Sequence, residues 1–346
     1  APSRTRTRDE CRWRGMDKYE KIRVLGSGSF GKVYLVRHRS TRKYYAMKMV
    51  RMHNVPKKER ESVKLELKLM QRLTHPNIIG HKDSFSVNAG RHLCIVMAYC
   101  DGGDLSERLK RARGRPLGET QIMHWFVQMA LGLHYMHESR VLHRDIKSQN
   151  IFLLGNGRLV LGDLGISKVL DGTMDFAQTC IGTPYYMSPE LFRNQRYNHK
   201  SDTWALGCVL YEMCTLRYPF DAHSLNGLAA KVTRGQYSPV PARFSKSLRQ
   251  LVSSMLAVTP SQRPDLAAIL RMPFVQRGIV DFLRGVVKRS GGAQAIGDGT
   301  RVMRLAALGA AGHEGGAGEL DLATPDEVAA LRKQLVSLGM ESVLQR

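Results

Sequence analysis

The pattern of apolar and polar positions changes near residue 100 of this 346-residue chain. Before that point the apolar residues fall in short runs, at 32–36, 44–50 and 93–100, which predict β-strands. One helix is predicted among them, because apolar side chains between residues 58 and 73 repeat at helical spacing. From 104 to 280 longer helical patterns take over. The sequence therefore predicts an α+β fold, with a small, mainly β region containing one helix and a larger, mainly α region.

A glycine-rich segment precedes the strand predicted at 32–36, with glycines at positions 26, 28 and 31. The spacing G-x-G-x-x-G-x-V allows the backbone to come close to phosphate groups. The dinucleotide-binding fingerprint shares its first six positions, but that fingerprint requires a helix beginning at the glycines. Alternating residues follow instead, at 32–36, and they favour a β-hairpin that covers the phosphates of a nucleotide.

Lys48 lies inside an apolar predicted strand, where an isolated ammonium group would be costly to bury. The predicted helix downstream carries Glu66 on the same face as its apolar stripe. Because each charge needs a partner of opposite sign, we expect Lys48 and Glu66 to pair. The alternative, in which Glu66 is a rim residue, does not account for the matching lysine.

The segment Val141 to Asn150 combines an acid, a cation and a carboxamide at fixed offsets, and a second acid follows at Asp163. Phosphoryl transfer from a nucleotide requires this set of groups. Asp145 would orient and deprotonate a hydroxyl group, and Lys147 would neutralise the transferred phosphoryl group. Asn150 and Asp163 would supply oxygen ligands to Mg²⁺. The segment therefore predicts an ATP- and magnesium-dependent phosphotransferase.

The order H-R-D-x-K-x-x-N followed by D-x-G resembles the catalytic and metal-binding loops of eukaryotic protein kinases. Four local sequences narrow the resemblance to the NIMA-related serine/threonine kinases, at residues 99–105, 143–153, 182–190 and 197–202. The resemblance covers about residues 17–280 and implies the bilobal protein-kinase fold, with ATP and Mg²⁺ as cofactors. It also implies protein substrates with Ser or Thr acceptors, and a role in the cell cycle or at the centrosome, cilium or flagellum base.

The resemblance also implies the nucleotide-binding residues. Lys48 would hold the α- and β-phosphates, with Glu66 holding the lysine. Met97 would be the gatekeeper, followed by a hinge at residues 98–100 whose backbone binds adenine. The implied nucleotide site consists of Leu25, Gly26, Ser27, Gly28, Ser29, Phe30, Gly31, Val33, Ala46, Lys48, Met97, Ala98, Tyr99, Cys100 and Phe152.

The resemblance also implies that the segment between Asp163 and Glu190 contains a regulatory phosphorylation site. Thr179 best matches the family's activating phosphosite, and Thr173 is the lesser candidate. Arg144 would bind the phosphate that this site carries. Thr183 would position the substrate, and together with Lys147 it favours serine or threonine acceptors. Two structural contacts are implied as well, Asp202 with the catalytic-loop backbone and Glu190 with Arg263.

The end of the chain differs in composition from the rest. Residues 289–323 are rich in Gly and Ala, which is typical of a flexible linker. A capping box at 324–327 then predicts a helix, whose apolar side chains repeat at 3-4-3 spacing. Self-association, partner binding and docking onto the rest of the chain stay open for it. The predicted organisation is a basic extension (1–16), a kinase domain (17–280, with lobes 17–100 and 101–280), a linker (281–323) and a short helix (324–346).

Net charge, cysteine spacing and the length of apolar runs limit the partners and locations that are expected for this chain. The formal net charge is +23, but the basic residues are dispersed and no nucleic-acid module accompanies them, so no specific nucleic acid is expected. Six cysteines without C-x-x-C spacing favour reduced thiols and a cytoplasmic protein. The absence of an apolar run of about 18 residues predicts no membrane span. His134, His137 and His143 are interpreted as core or surface histidines and not as a metal cluster.

Two other functions are compatible with the predicted fold. A kinase-fold scaffold would have little catalysis, but degenerate members usually lose the lysine, the catalytic acid or the metal acid, and this chain keeps all three. A small-molecule kinase would not require the long activation segment that ends in Ser188, Pro189 and Glu190. A protein serine/threonine kinase is therefore favoured.

Overall fold

The structure is a computed structural model that describes residues 15–28, 31–53, 55–155, 157–163, 184–289 and 332–337. The described residues form two compact units. The smaller unit contains residues 15–72 and 79–100, and the larger contains residues 73–78, 101–289 and 332–337, apart from the gaps in these ranges. Within the described residues, no helix has both the length and the apolar character that crossing a bilayer demands.

The smaller unit is an antiparallel sheet with one helix. Its five strands are β1 (Tyr19–Gly28), β2 (Gly31–His38), β3 (Tyr44–Arg51), β4 (His81–Val87) and β5 (His92–Ala98), in the spatial order β1-β2-β3-β5-β4. The helix is α1 (Lys57–Met70), and Val63, Leu67 and Met70 of its predicted stripe are buried. Apolar side chains pack together on one face of the sheet, where Tyr45, Met47, Cys94 and Val96 form a buried cluster.

The predicted hairpin between the first two strands is present. The last residue of β1, Gly28, pairs with the first residue of β2, Gly31. Gly31 has a φ of 151°, and a Cβ placed on it would lie 1.8 Å from the carbonyl oxygen of Met49 on β3. Only glycine fits such a close approach of two backbones, which explains why the third glycine of the motif stands at this position.

The larger unit is mainly helical, as its sequence pattern predicts. Its helices are α2 (Leu105–Arg111), α3 (Glu119–Glu138), α4 (Pro189–Phe192), α5 (His199–Thr215), α6 (Leu225–Arg234), α7 (Lys246–Met255), α8 (Leu266–Arg271) and α9 (Pro273–Arg289), and a small hairpin is formed by β6 (Ile151–Leu153) and β7 (Leu159–Leu161). Helix α5 is buried at every position from residue 201 to residue 214. It contacts α3, which in turn contacts α8 and α9, so α3 and α5 form the centre of this unit.

Side-chain caps define where many of these helices begin. Because the first N–H groups of a helix have no intrahelical partner, an oxygen-bearing side chain before the first turn stabilises it by about 1 kcal/mol. Such caps are supplied by Asp104, Asn198, Ser224, Ser245 and Asp265. At the other end of the unit α9 continues to Arg289, so residues 281–289 belong to a helix and not to the predicted linker.

The chain end contributes one more described helical segment. Residues 332–337 are helical and lie inside the helix predicted at 324–346; the other residues of that prediction fall outside the described part of the chain. We call residues 332–337 the tail helix. Its Gln334 and Leu335 are buried, with 2% and 0% of their surfaces exposed.

Candidate active site

The predicted catalytic loop, residues 143–150, is held at its beginning by one buried carboxylate. Asp202 accepts hydrogen bonds from the backbone N–H groups of His143 and Arg144, both at 3.0 Å. His137 and Tyr197 also bind this carboxylate. Burial raises the pKa of Asp202, but the hydrogen bonds from His137 and Tyr197 outweigh it and the pKa is below its ordinary value. The predicted tether from Asp202 to the loop backbone is therefore confirmed.

The carboxylate of Asp145 is fixed by the other two predicted residues of the loop. Lys147 Nζ lies 2.9 Å from Asp145 Oδ2, and Asn150 Nδ2 donates to the same oxygen at 2.7 Å. Asn150 Nδ2 also donates to the backbone carbonyl of Asp145 at 2.8 Å. Charge-assisted bonds of this kind are stronger than neutral ones, so they orient the carboxylate. The structure brings Asp145, Lys147 and Asn150 together as the sequence predicts.

His143 forms the buried floor of the loop. It has no exposed surface, and its Nδ1 accepts a hydrogen bond from the backbone N–H of Asp145 at 3.4 Å. Burial lowers the pKa of His143, although Asp202 and other carboxylates nearby oppose that effect. The ring is therefore neutral near pH 7, and it supports the backbone of Asp145 without adding a positive charge to the site.

Asp163 follows β7 after one intervening glycine. Gly162 donates its N–H to the carbonyl of Asn150 at 2.9 Å, which ties this turn to the end of the catalytic loop. Asp163 has a φ of 53°, a left-handed conformation that few residues other than glycine, asparagine and aspartate adopt readily. The carboxylate of Asp163 and the amide oxygen of Asn150 are the hard oxygen donors that Mg²⁺ prefers.

A second buried carboxyl group, Glu212, holds the far end of the loop. Ser148 Oγ donates to Glu212 Oε1 at 3.1 Å, and the Tyr186 hydroxyl donates to Oε2 at 2.6 Å. Burial raises the pKa of Glu212 to about 7, since these two hydroxyl donors only partly compensate for the loss of water. Sequence reasoning missed this contact. An acid on the otherwise apolar helix α5 was the signal that could have found it.

The predicted pair of Glu190 and Arg263 is present below the loop. Arg263 donates from two nitrogens to the two carboxylate oxygens, at 2.9 and 2.7 Å, and both residues are about 1% exposed. Ser201 donates to the same carboxylate at 2.6 Å. Burial raises the pKa of Glu190, but Arg263 and Ser201 outweigh it and the pKa is lowered. This predicted ion pair is confirmed.

In the smaller unit, strand register gathers the predicted nucleotide-binding side chains. Val33 pairs with Lys48, and Ala46 pairs with Met97. Because directly paired residues share a face and side chains alternate along a strand, these four lie on one face of the sheet. The buried apolar cluster occupies the opposite face, and the four side chains remain partly exposed. The other described members of the predicted set are Leu25, Gly26, Ser27 and Gly28 on β1, Gly31 on β2, Ala98 at the end of β5, and Tyr99 and Cys100 directly after it.

Phe152, the remaining member, belongs to the larger unit. It lies in the middle of β6, pairs with Val160 on β7 and forms an isolated bridge with Asp104. Gly102 lies against the same strand, where its N–H donates to the carbonyl of Leu153 at 3.0 Å. A Cβ on Gly102 would lie 2.6 Å from that carbonyl oxygen, so this backbone contact requires glycine.

Comparison with known proteins identifies the family of this chain. The family profile described as the protein kinase domain matches residues 19–275, which is most of the chain. The chain belongs to the protein kinase family. Human serine/threonine-protein kinase Nek5 is 47% identical to this kinase over 269 residues, which are 78% of this chain and 38% of that protein.

Two further relatives have similar names. Mouse serine/threonine-protein kinase Nek4 is 46% identical over 265 residues, 77% of this chain and 33% of that protein. A probable serine/threonine-protein kinase nek3 from Dictyostelium discoideum is 42% identical over 268 residues, 76% of this chain and 24% of that protein. The kinase thus spans well under half the length of each relative. The resemblance to the NIMA-related serine/threonine kinases is confirmed.

Some predicted site residues of this kinase lie outside the described part of the chain. They are Ser29 and Phe30 of the glycine-rich segment, the side chain of Glu66, and Thr173, Thr179 and Thr183 of the activation segment. The pairing of Lys48 with Glu66 therefore stays a prediction. Glu66 belongs to α1, which is the helix that the prediction requires.

Proposed function

We propose that this chain is a protein serine/threonine kinase that transfers the γ-phosphoryl group of ATP to Ser or Thr hydroxyl groups of protein substrates. The observation that carries the proposal is the fixed carboxylate of Asp145, bound by Lys147 at 2.9 Å and by Asn150 at 2.7 Å. A carboxylate in fixed orientation beside a lysine matches the requirements of phosphoryl transfer, in which positioning and charge stabilisation supply most of the catalysis.

In this proposal Asp145 accepts the proton of the substrate hydroxyl group. Its side chain is about one-fifth exposed, at 18%, so an incoming hydroxyl group can reach it. Lys147, at 36% exposure, places its ammonium group beside the same carboxylate and stabilises negative charge on the transferred group. His143 supports the Asp145 backbone from below and stays neutral.

Asn150 and Asp163 fit a magnesium ion. The amide nitrogen of Asn150 is used by Asp145, so the amide oxygen is the atom that can ligate a cation. The carboxylate of Asp163 supplies a second, charged oxygen donor. When bound, Mg²⁺ neutralises charge on the phosphate oxygens.

The nucleotide-contacting residues are assigned unit by unit. In the smaller unit, Val33, Ala46, Lys48 and Met97 share one partly exposed sheet face, which suits a planar base and a phosphate. We assign Val33 and Ala46 to the adenine ring and Lys48 to the α- and β-phosphates. In the larger unit, Phe152 on β6 is assigned to the adenine ring.

Activation and location complete the proposal. Arg144 adopts a left-handed backbone with a φ of 64°, fixed by its N–H bond to Asp202, which suits a fixed receptor for a phosphate on Thr179. The resemblance to the NIMA-related kinases implies a role in the cell cycle or at the cilium, in the cytoplasm and at the cytoskeleton, centrosome or flagellum base, and we include this role in the proposal. Replacing Thr179 with Ala should lower activity, and a phosphatase should lower wild-type activity to the same level.

The proposal is tested by incubating the chain with radiolabelled ATP, Mg²⁺ and a generic protein acceptor. We expect incorporation into serine and threonine on phosphoamino-acid analysis. Asp145→Ala should lower the rate by about a hundredfold or more, because it removes the general base. The matched control is Asp221→Ala, the same change at an exposed aspartate of the larger unit, which should retain the wild-type rate.

Equal incorporation by Asp145→Ala and wild type would contradict the proposal. So would the absence of incorporation by a folded wild-type chain with a phosphorylated activation segment. The latter result would favour a kinase-fold scaffold with little catalysis. A peptide array then defines the acceptor and the residues that precede it.

A further inference from the structure

The tail helix contacts the larger unit through one buried amide. Gln334 Oε1 lies 3.0 Å from His75 Nε2, while Gln334 Nε2 lies 2.9 Å from the carbonyl of Leu131 and 2.9 Å from His134 Nδ1. His75 lies in the segment 73–78 of the larger unit, and Leu131 and His134 belong to α3. The side chain of Gln334 therefore contacts three residues that are distant in sequence. His75, Leu131 and His134 precede it by 259, 203 and 200 positions.

The hydrogen-bonding roles of these groups agree with one orientation of the amide. His75 Nδ1 accepts a hydrogen bond from the N–H of Asn77 at 3.0 Å, so its proton lies on Nε2 and is donated to Gln334 Oε1. The carbonyl of Leu131 can only accept, so Gln334 Nε2 donates to it. Burial lowers the pKa of His75 to about 3, which keeps this ring neutral. His75 and the carbonyl of Leu131 therefore specify the same orientation of the Gln334 amide.

A chain of hydrogen bonds continues from His75 toward the metal-binding loop. Asn77 Nδ2 donates to the carbonyl of Leu159 at 2.8 Å, and the carbonyl of Asn77 accepts from the N–H of Leu161 at 2.9 Å. Leu159 and Leu161 are the two ends of β7, and Asp163 follows two residues later. Position 132 of α3 lies directly beside this segment, since a Cβ on Gly132 would be 2.8 Å from the carbonyl oxygen of Asn77.

We propose that the tail helix is an intramolecular latch, in which Gln334 binds His75, Leu131 and His134 and thereby holds β7, the strand that leads to Asp163, in place. The surface formed by His75, Leu131 and His134 is the docking site for the latch. Its occupant is the chain's own residues 332–337, of which Gln334 and Leu335 are buried. While they are buried there, these two side chains cannot contact another copy or a partner. The latch goes beyond phosphoryl transfer, because it connects the end of the chain with the metal-binding loop.

The test is hydrogen–deuterium exchange on the full chain, comparing wild type with Gln334→Ala. We expect the tail helix to be protected in wild type and to lose protection in the variant. Peptides that contain Asn77 and Leu161 should exchange about tenfold faster, because the variant leaves the buried Nε2–H of His75 without its acceptor. Peptides from α5 should be unchanged. The matched control is Lys333→Ala, the exposed neighbour in the same helix, which should behave like wild type.

A second variant tests whether the amide N–H donor of Gln334 is required. Gln334→Glu keeps an acceptor for His75 but has no donor for Leu131 and His134, so it should release the tail helix as well. An unprotected tail helix in wild type would overturn the latch. So would loss of tail protection with unchanged exchange at Asn77 and Leu161, or equally faster exchange throughout the chain. None of these readouts depends on kinase activity.

Discussion

The two ends of α5 hold the two ends of the catalytic loop, but with carboxyl groups in different states. At the first turn, Asp202 binds the backbone of His143 and Arg144, and its pKa lies below the ordinary value. Near the last turn, Glu212 binds Ser148, and burial raises its pKa to about 7. The difference follows from the donors. Asp202 has a histidine and two backbone N–H groups in addition to the Tyr197 hydroxyl, whereas the donors to Glu212 are the hydroxyl groups of Ser148 and Tyr186.

The comparison shows that burial alone does not decide the charge of a carboxyl group. Glu190 is at least as buried as Glu212, yet its pKa is lowered because Arg263 faces it with two nitrogens, whereas the pKa of Glu212 is raised. The carboxylates of Asp202 and Glu190 both lie at the first turn of α5, where Asp202 belongs to the helix and Glu190 accepts a hydrogen bond from Ser201. The loop is therefore anchored by charge at its beginning and by a group close to half-protonation at its end.

The largest effect is expected from breaking the Glu190–Arg263 pair. Arg263→Met leaves a buried carboxylate without its cation and should lower the free energy of unfolding by about 3–5 kcal/mol. Urea denaturation measures this loss. Arg249→Met, the same change at an exposed arginine of α7, should alter stability by less than about 0.5 kcal/mol. Equal effects of the two substitutions would show that the buried pair is not a main anchor.

A smaller effect is expected at Asp202. Asp202→Asn keeps the shape but replaces one acceptor oxygen by a donor, so about 3 kcal/mol of stability should be lost as two buried donors lose their acceptor. Phosphoryl transfer by the folded variant should fall as well, because misplacement of a catalytic group by about 1 Å can cost a hundredfold. Denaturation and steady-state kinetics at the same temperature measure both. Wild-type kinetics in this variant would contradict the role of Asp202 in holding the loop.

The smallest effect is expected at Glu212, and it depends on pH. A carboxyl group whose folded pKa is raised contributes stability below its ordinary pKa of 4.5, and this contribution is lost as pH rises to about 7. Glu212→Gln has no charge to bury, so relative to wild type it should gain on the order of 2 kcal/mol between about pH 5 and about pH 8. Urea denaturation of wild type and Glu212→Gln at these two pH values measures the difference in the free energy of unfolding. A stability difference independent of pH would show that Glu212 is ionised throughout.

Local patterns predicted much of the fold and the site. Alternation predicted the β1–β2 hairpin, β3 and β5, and helical spacing predicted α1, whereas β4 was not predicted. The motif residues Asp145, Lys147 and Asn150 do meet. The family resemblance predicted two further contacts. They are Asp202 with the catalytic-loop backbone and Glu190 with Arg263. These contacts could be predicted because their residues lie in recognisable motifs.

The contacts that were not predicted depend on tertiary packing. Gln334 lies beside the apolar stripe of the tail, and nothing in the spacing of that stripe indicates that His75, 259 residues earlier, would be its partner. Glu212 likewise acquires its raised pKa only once α5 is buried and Tyr186 is placed over it. Burial and long-range partners are properties of the folded chain and not of a local sequence pattern.

The most direct test of the central claim is a single-turnover measurement on Asp145→Asn together with its nucleotide affinity. Asparagine keeps the size of the side chain but cannot accept the proton, so the transfer rate should fall by about a hundredfold or more while the Kd for ATP changes less than about twofold. A transfer rate within about threefold of wild type would contradict the role of the Asp145 carboxylate in phosphoryl transfer.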